Sequence, residues 1–80
     1  MADTPSIGDR LKELRQARGY SVRELARRAI VDHVTVVRIE NEHTEPQPRT
    51  LRRLAEALDV DVRFFYSEEP VTPLAQVARL

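Results

Sequence analysis

At Tyr20-Ser21, Val31-Asp32 and Val60-Asp61 an apolar residue stands one place before a Ser or Asp and five places before another apolar residue, Leu25, Val36 and Phe65 respectively. This is the spacing of a hydrophobic staple, in which the residue preceding an N-cap packs on the fourth residue of the helix that follows. Helix starts are therefore predicted at 21, 32 and 61. Starts set so close together allow only short helices. In a chain of 80 residues without cysteine, short helices must be held by packing alone, near the lower size at which one core suffices.

The remaining elements fill in around these starts. Ile7, Leu11, Leu14 and Ala17 recur at helical spacing, Ser6 and Asp9 have capping-box spacing before them, and Gly19 supplies a left-handed stop. Ser21 and Glu24 read as a complete capping box for a second helix that buries Leu25, Ala26 and Ala29. The next stretch, AIVDHVTVVRIE (29–40), is rich enough in Val, Ile and Thr to suggest a strand. Strict alternation fails at Val36-Val37, whereas Val31, Thr35, Val36 and Ile39 share a helical face. β-Branched residues cost only a few tenths of a kcal/mol each in a helix, so helix is the expectation. Pro48 opens a fourth helix, with Leu51, Leu54, Ala55 and Leu58 on one side, and a brief fifth runs through Arg63, Phe64, Phe65 and Tyr66. The predicted fold class is all-α: a compact five-helix domain over residues 6–66, followed by a tail, 67–80, whose Leu74, Val77 and Ala78 are weakly periodic and compatible with a short helix.

Charge is distributed unevenly behind a formal net charge of zero. Residues 6–30 carry seven basic side chains against three acidic, a balance of +4, while residues 31–80 carry six arginines against nine acidic groups. A neutral total thus accommodates a basic face. The N-terminal residues show no charged and then apolar leader pattern, and no run of about 18 apolar residues could span a bilayer, so a cytoplasmic protein with no membrane association is expected. His33 and His43 are the only histidines and there is no Cys, so no metal site is read. Ser6, Ser21 and Ser67 have capping or turn roles and no spaced catalytic partner, and Gly8 and Gly19 do not make a phosphate loop. No enzyme activity and no cofactor are expected.

A turn of about three residues between helices two and three allows a steep crossing, as in a helix-turn-helix unit. With Val31, Val36 and Ile39 inward, helix three presents His33, Val34, Val37 and Arg38 outward. Outward valines can pack on another part of the protein or on a partner. They can also meet thymine methyl groups in a DNA major groove, with Arg38 donating to a guanine edge and His33 to a base or phosphate.

SVRELARRAIVDHVTVVRIEN followed by PRTLRRLAEALDV resembles the phage-repressor/Cro-type helix-turn-helix family, over residues 7 to about 66. The resemblance rests on Ser21 and Glu24-Leu25-Ala26, on Thr35 and Arg38-Ile39-Glu40, and on Leu51, Leu54-Ala55, Ala57-Leu58 and Val60. It implies a transcriptional regulator that binds double-stranded DNA as a homodimer. By position, His33, Val34, Val37 and Arg38 match base-reading residues. Asp32 and Thr35 match positions that cap the reading helix or approach phosphate. Arg15 and Glu40 match an ion pair tying helix one to the end of helix three. Arg10, Arg23, Arg27 and Arg49 are the further candidates for phosphate contact, with Arg52 as additional charge. Pairing through the C-terminal end would use Val62, Phe64, Tyr66, Leu74 and Val77. The competing reading is an antitoxin or adaptor module in which the outward valines bind a protein partner.

Three departures from the family pattern stand out. Where relatives often have glycine in the turn after helix two, this chain has Ile30; a β-branched residue at positive φ is strained, so a differently shaped turn is expected. Val22 replaces a frequent phosphate-binding glutamine. Glu42 and Glu45 make the loop after helix three acidic where relatives often place Lys or Arg, which should lower affinity for DNA.

Overall fold

A computed structural model describes residues 6–42 and 44–66. Four helices follow one another, α1 (Ile7–Arg18), α2 (Val22–Ala29), α3 (His33–Glu42) and α4 (Pro48–Leu58), and a 3₁₀ segment, Val62–Tyr66, closes the described chain. The β-branched stretch is helical. The predicted short helix in the tail, with Leu74 and Val77, and the second histidine, His43, lie outside the described residues.

All three staple sites carry a working cap. Ser21 Oγ accepts the Glu24 N–H at 3.0 Å, Asp32 Oδ1 accepts that of Val34 at 3.1 Å, and Asp61 Oδ1 accepts that of Arg63 at 2.9 Å. α1 has the reciprocal capping box: Ser6 Oγ accepts the Asp9 N–H, and Asp9 Oδ2 accepts the Ser6 N–H. The full box expected at Ser21 is only half made, because the Glu24 carboxylate turns to the Arg28 guanidinium at 2.9–3.0 Å instead. An ionised partner is the stronger donor, and it outcompetes a backbone N–H that water can reach.

The helix ends are equally regular. At each of Gly19, Ile30 and Asp59 the backbone is left-handed, with φ of 76°, 58° and 59°. The next residue's N–H reaches back to Arg15, Ala26 and Ala55 carbonyls respectively, at 3.0–3.1 Å, and the left-handed residue's own N–H bonds the carbonyl three before it. These are three Schellman motifs. The residue after each, Tyr20, Val31 and Val60, is also the staple of the next element. Tyr20 and Val31 lean on the core, and Val60 is buried. One side chain therefore both ends one element and aims the next.

Ile30 corrects the expectation of an altered turn. The left-handed shape is kept and the isoleucine bears the strain, because the joint must still deliver Val31 to the core. For an L-residue that conformation costs about 1–2 kcal/mol. Glycine would remove that strain but lose about 0.5–1 kcal/mol through its freer unfolded chain, leaving a small net gain. Ile30 is 78% exposed, so little burial is lost with its side chain. Ile30→Gly is expected to raise the thermal midpoint by a few degrees in calorimetry; a lowered midpoint would mean that the side chain packs in a way its exposure does not suggest.

The core draws on every element: Leu11 and Leu14 from α1, Leu25 from α2, Val36 and Ile39 from α3, Leu54 and Leu58 from α4, and Phe65 from the 3₁₀ segment, all at 2% exposure or less. The expected fifth helix is this 3₁₀ segment. Its Phe64 N–H bonds the Asp61 carbonyl three residues back, and three residues per turn put Val62 and Phe65 on the same side. Phe65 is buried and Val62 packs against the core.

Candidate nucleic-acid interface

α3 is clasped between α1 and α2, which fixes which of its faces remains open. Val36, Ile39 and Glu40 are buried, Val34 and Arg38 are exposed, and His33 and Val37 are half-buried on the same outer side. Val34 is 41% exposed, unusual for an aliphatic residue on a helix with a core so close at hand. Asp32, capping the start of α3, also stands 3.6 Å from His33 Nδ1. Thr35 is half-buried and lines, with Arg38, Thr44, Gln47 and Thr50, a cleft of about 420 Å³ between the end of α3 and the start of α4.

The orientation of α3 is set by Arg15. Its Nε and Nη2 donate to the two carboxylate oxygens of Glu40 at 2.8 and 3.0 Å, and Nη1 donates to the Tyr20 carbonyl at 2.9 Å. The Glu40 side chain is 3% exposed and that of Arg15 12%. A planar fork on a carboxylate fixes direction as well as distance. Arg15 thus joins α1, the first joint and α3 through one side chain. Two further arginines bind helix ends in a way no spacing in the sequence signals. Arg18 Nε donates to the Leu58 carbonyl at 3.0 Å, and Arg53 Nη1 to that of Ile30 at 3.2 Å.

Six arginines, among them the phosphate candidates Arg10, Arg23, Arg27 and Arg49 and the base-reading candidate Arg38, fall into four groups. Arg23, Arg38 and Arg49 are exposed and make no hydrogen bond or ion pair among the described residues, which leaves their donors open. Arg27 is 76% exposed and only 3.8 Å from Glu24, a loose pairing that solvent screens. Arg28, by contrast, is committed to Glu24 and lies 4.6 Å above the Tyr20 ring. Arg10 is a correction: it is 2% exposed, with its guanidinium 5.1 Å from the Phe64 ring centroid and 3.8 Å from Glu13. Buried there, it faces no external anion. Its Nε and Nη2 find no hydrogen-bond partner, so its favourable contact is the aromatic face. Val22 leans on the core, which explains an apolar residue where relatives often place glutamine.

At the far end, Tyr66 is 64% exposed while Val62 and Phe64 are half-buried against the core. Among the described residues there is no cluster of three or more His, Cys, Asp or Glu able to hold a metal, and no helix long and apolar enough to cross a membrane.

A family model described as helix-turn-helix matches residues 11–65, more than half of the chain. The chain belongs to the Cro-type helix-turn-helix family. Within it, the chain is 37% identical over 67 residues to the HTH-type transcriptional regulator SinR of Bacillus licheniformis and, at the same identity, to that of Bacillus subtilis (strain 168). Both matches cover 82% of the chain and 60% of the relative, so the chain spans well under two thirds of their length. The solved N-terminal DNA binding domain of SinR from Bacillus subtilis superposes with a TM-score of 0.74 at 33% identity, over 81% of this chain and 96% of that one. The all-α helix-turn-helix fold, with four helices and a 3₁₀ segment, is that of this domain. In family terms, α2 and α3 are the helix-turn-helix pair, and Ile30 occupies its turn.

Proposed function

We propose that this chain is a sequence-specific DNA-binding transcriptional regulator, acting as a repressor, that inserts α3 into the major groove of a palindromic operator. One observation carries the reading above the others: a rigidly held helix turns His33, Val34, Val37 and Arg38 outward, and the Arg38 guanidinium has no partner within the described protein. Valine methyls and a free guanidinium are the groups that read thymine and guanine edges. The relatives bear names of transcriptional regulators, and the similar solved structure is described as a DNA binding domain. Arg23, Arg27 and Arg49, with the Thr35 hydroxyl, would contact phosphates beside the groove, while Asp32 holds the start of α3. Two copies pairing through Val62, Phe64 and Tyr66 would present two α3 helices to half-sites one helical turn apart, ~34 Å.

Selection from random duplexes should return a two-fold symmetric site. On that site Arg38→Ala is expected to cost ~1–3 kcal/mol and to relax preference at one base pair. Arg27→Ala is expected to weaken all duplexes alike and to lower the slope of log affinity against log salt by about one. If Arg38→Ala binds the selected site as the parent does, the base-reading role is lost.

The antitoxin or adaptor reading is favoured by one observation, the exposure of two aliphatic side chains, Ile30 at 78% and Val34 at 41%. Apolar knobs of that kind suit a protein partner. DNA binding that does not change with salt would select this alternative, because contacts to phosphate release counterions.

A further inference from the structure

Arg38 shares its cleft with a carboxylate. Glu45, exposed in the segment between α3 and α4, lines the same cleft of about 420 Å³ as Arg38 and Thr35, and it also borders a smaller one at Ser6, Ile7 and Gly8, where α1 begins. Yet Glu45 and Arg38 form no ion pair, and neither makes a hydrogen bond among the described residues. Two other carboxylates do find an arginine, Asp61 taking Arg63 and Glu24 taking Arg28. An acidic group placed beside, but not on, the arginine of the reading helix leaves the guanidinium available and changes what can approach it.

We infer that Glu45 is a specificity determinant, which excludes phosphate from Arg38 while leaving it open to a neutral base edge; this rests on the proposed DNA-reading role of α3. The argument is electrostatic. Bound without regard to sequence, a protein lies on the phosphates, and an arginine satisfies itself with the nearest anionic oxygen. A carboxylate in the same cleft repels that oxygen, and at physiological salt such a repulsion reaches about 8 Å before it is screened. The O6 and N7 acceptors of guanine carry no net charge and meet no such repulsion, and their bidentate geometry needs the guanidinium that Glu45 leaves unoccupied. The carboxylate therefore raises the free energy of the indiscriminate complex more than that of the correct one.

The test uses the full chain with a selected operator duplex and a scrambled duplex of equal length, each titrated at several salt concentrations. Glu45→Gln removes the charge and keeps the shape, and the unchanged helical circular dichroism of this exposed variant is the folding control. Affinity for the scrambled duplex is expected to rise about 3- to 10-fold, with less than about a 2-fold rise for the operator, so that the ratio of the two falls. In an Arg38→Ala background the same substitution should leave that ratio unchanged. An equal gain on both duplexes, or no gain on either, overturns the role of Glu45. The two readings fail separately. Loss of the Glu45 effect while Arg38→Ala still relaxes base preference sinks only this inference, whereas an Arg38→Ala protein with unaltered preference sinks DNA reading by α3.

Discussion

Arg15→Ala should lower the stability of this domain by about 3–5 kcal/mol, a large share of what a small domain has. The substitution strips the Glu40 carboxylate of both its charge-assisted bonds and leaves it 3% exposed, and the Tyr20 carbonyl loses a donor as well. The cost comes from the stranded charge, not from any intrinsic strength of the pair. Removing both charges is accordingly a different experiment: Arg15→Met with Glu40→Leu fills similar volume, leaves nothing ionic behind, and should recover most of the loss. Urea unfolding followed by circular dichroism measures both. A single mutant within about 1 kcal/mol of the parent would mean that the pair behaves as an exposed one. DNA binding by the alanine variant is expected to fail in proportion to the unfolded fraction.

Phe65→Ala is expected to cost about 3–5 kcal/mol through the cavity it leaves. Phe65 is 1% exposed and wedges the 3₁₀ segment against α1 and α4. Its neighbour supplies an internal comparison. Phe64 is half-buried and contributes chiefly a face for Arg10, so Phe64→Ala should cost about 1–2 kcal/mol. Equal losses at the two positions would show that Phe64 is packed into the core as firmly as Phe65.

What the sequence disclosed follows from how local the chemistry is. A cap and its staple lie within six residues, so Ser21, Asp32 and Asp61 announce their helix starts without reference to the rest of the chain. The burial of Arg10 is not local. Its cover, Phe64, arrives from the other end of the domain, and nothing in the spacing of α1 separates this arginine from Arg23 or Arg27. The Arg15–Glu40 pair is equally remote; it was expected from resemblance to a family and not from any pattern. At Ile30 a local rule gave the wrong shape. Steric strain argued against a left-handed residue there, yet the need to seat Val31 overrode it, and only tertiary packing contains that information. The outward set on α3 was legible because the inward set was: once Val36 and Ile39 are inside, helical periodicity leaves Val34 and Arg38 outside.

The three joints have a consequence for how this protein meets its target. Since Tyr20, Val31 and Val60 each belong to two elements at once, no slack residue separates α1 from α2 or α2 from α3, and a change of angle there would break a backbone hydrogen bond and unseat a side chain packed on the core. The domain is a die and not a clamp: mismatch in curvature or groove width must be accommodated by the nucleic acid. With α3 reading the groove as proposed, base pairs that it never touches should influence affinity through the ease with which they bend.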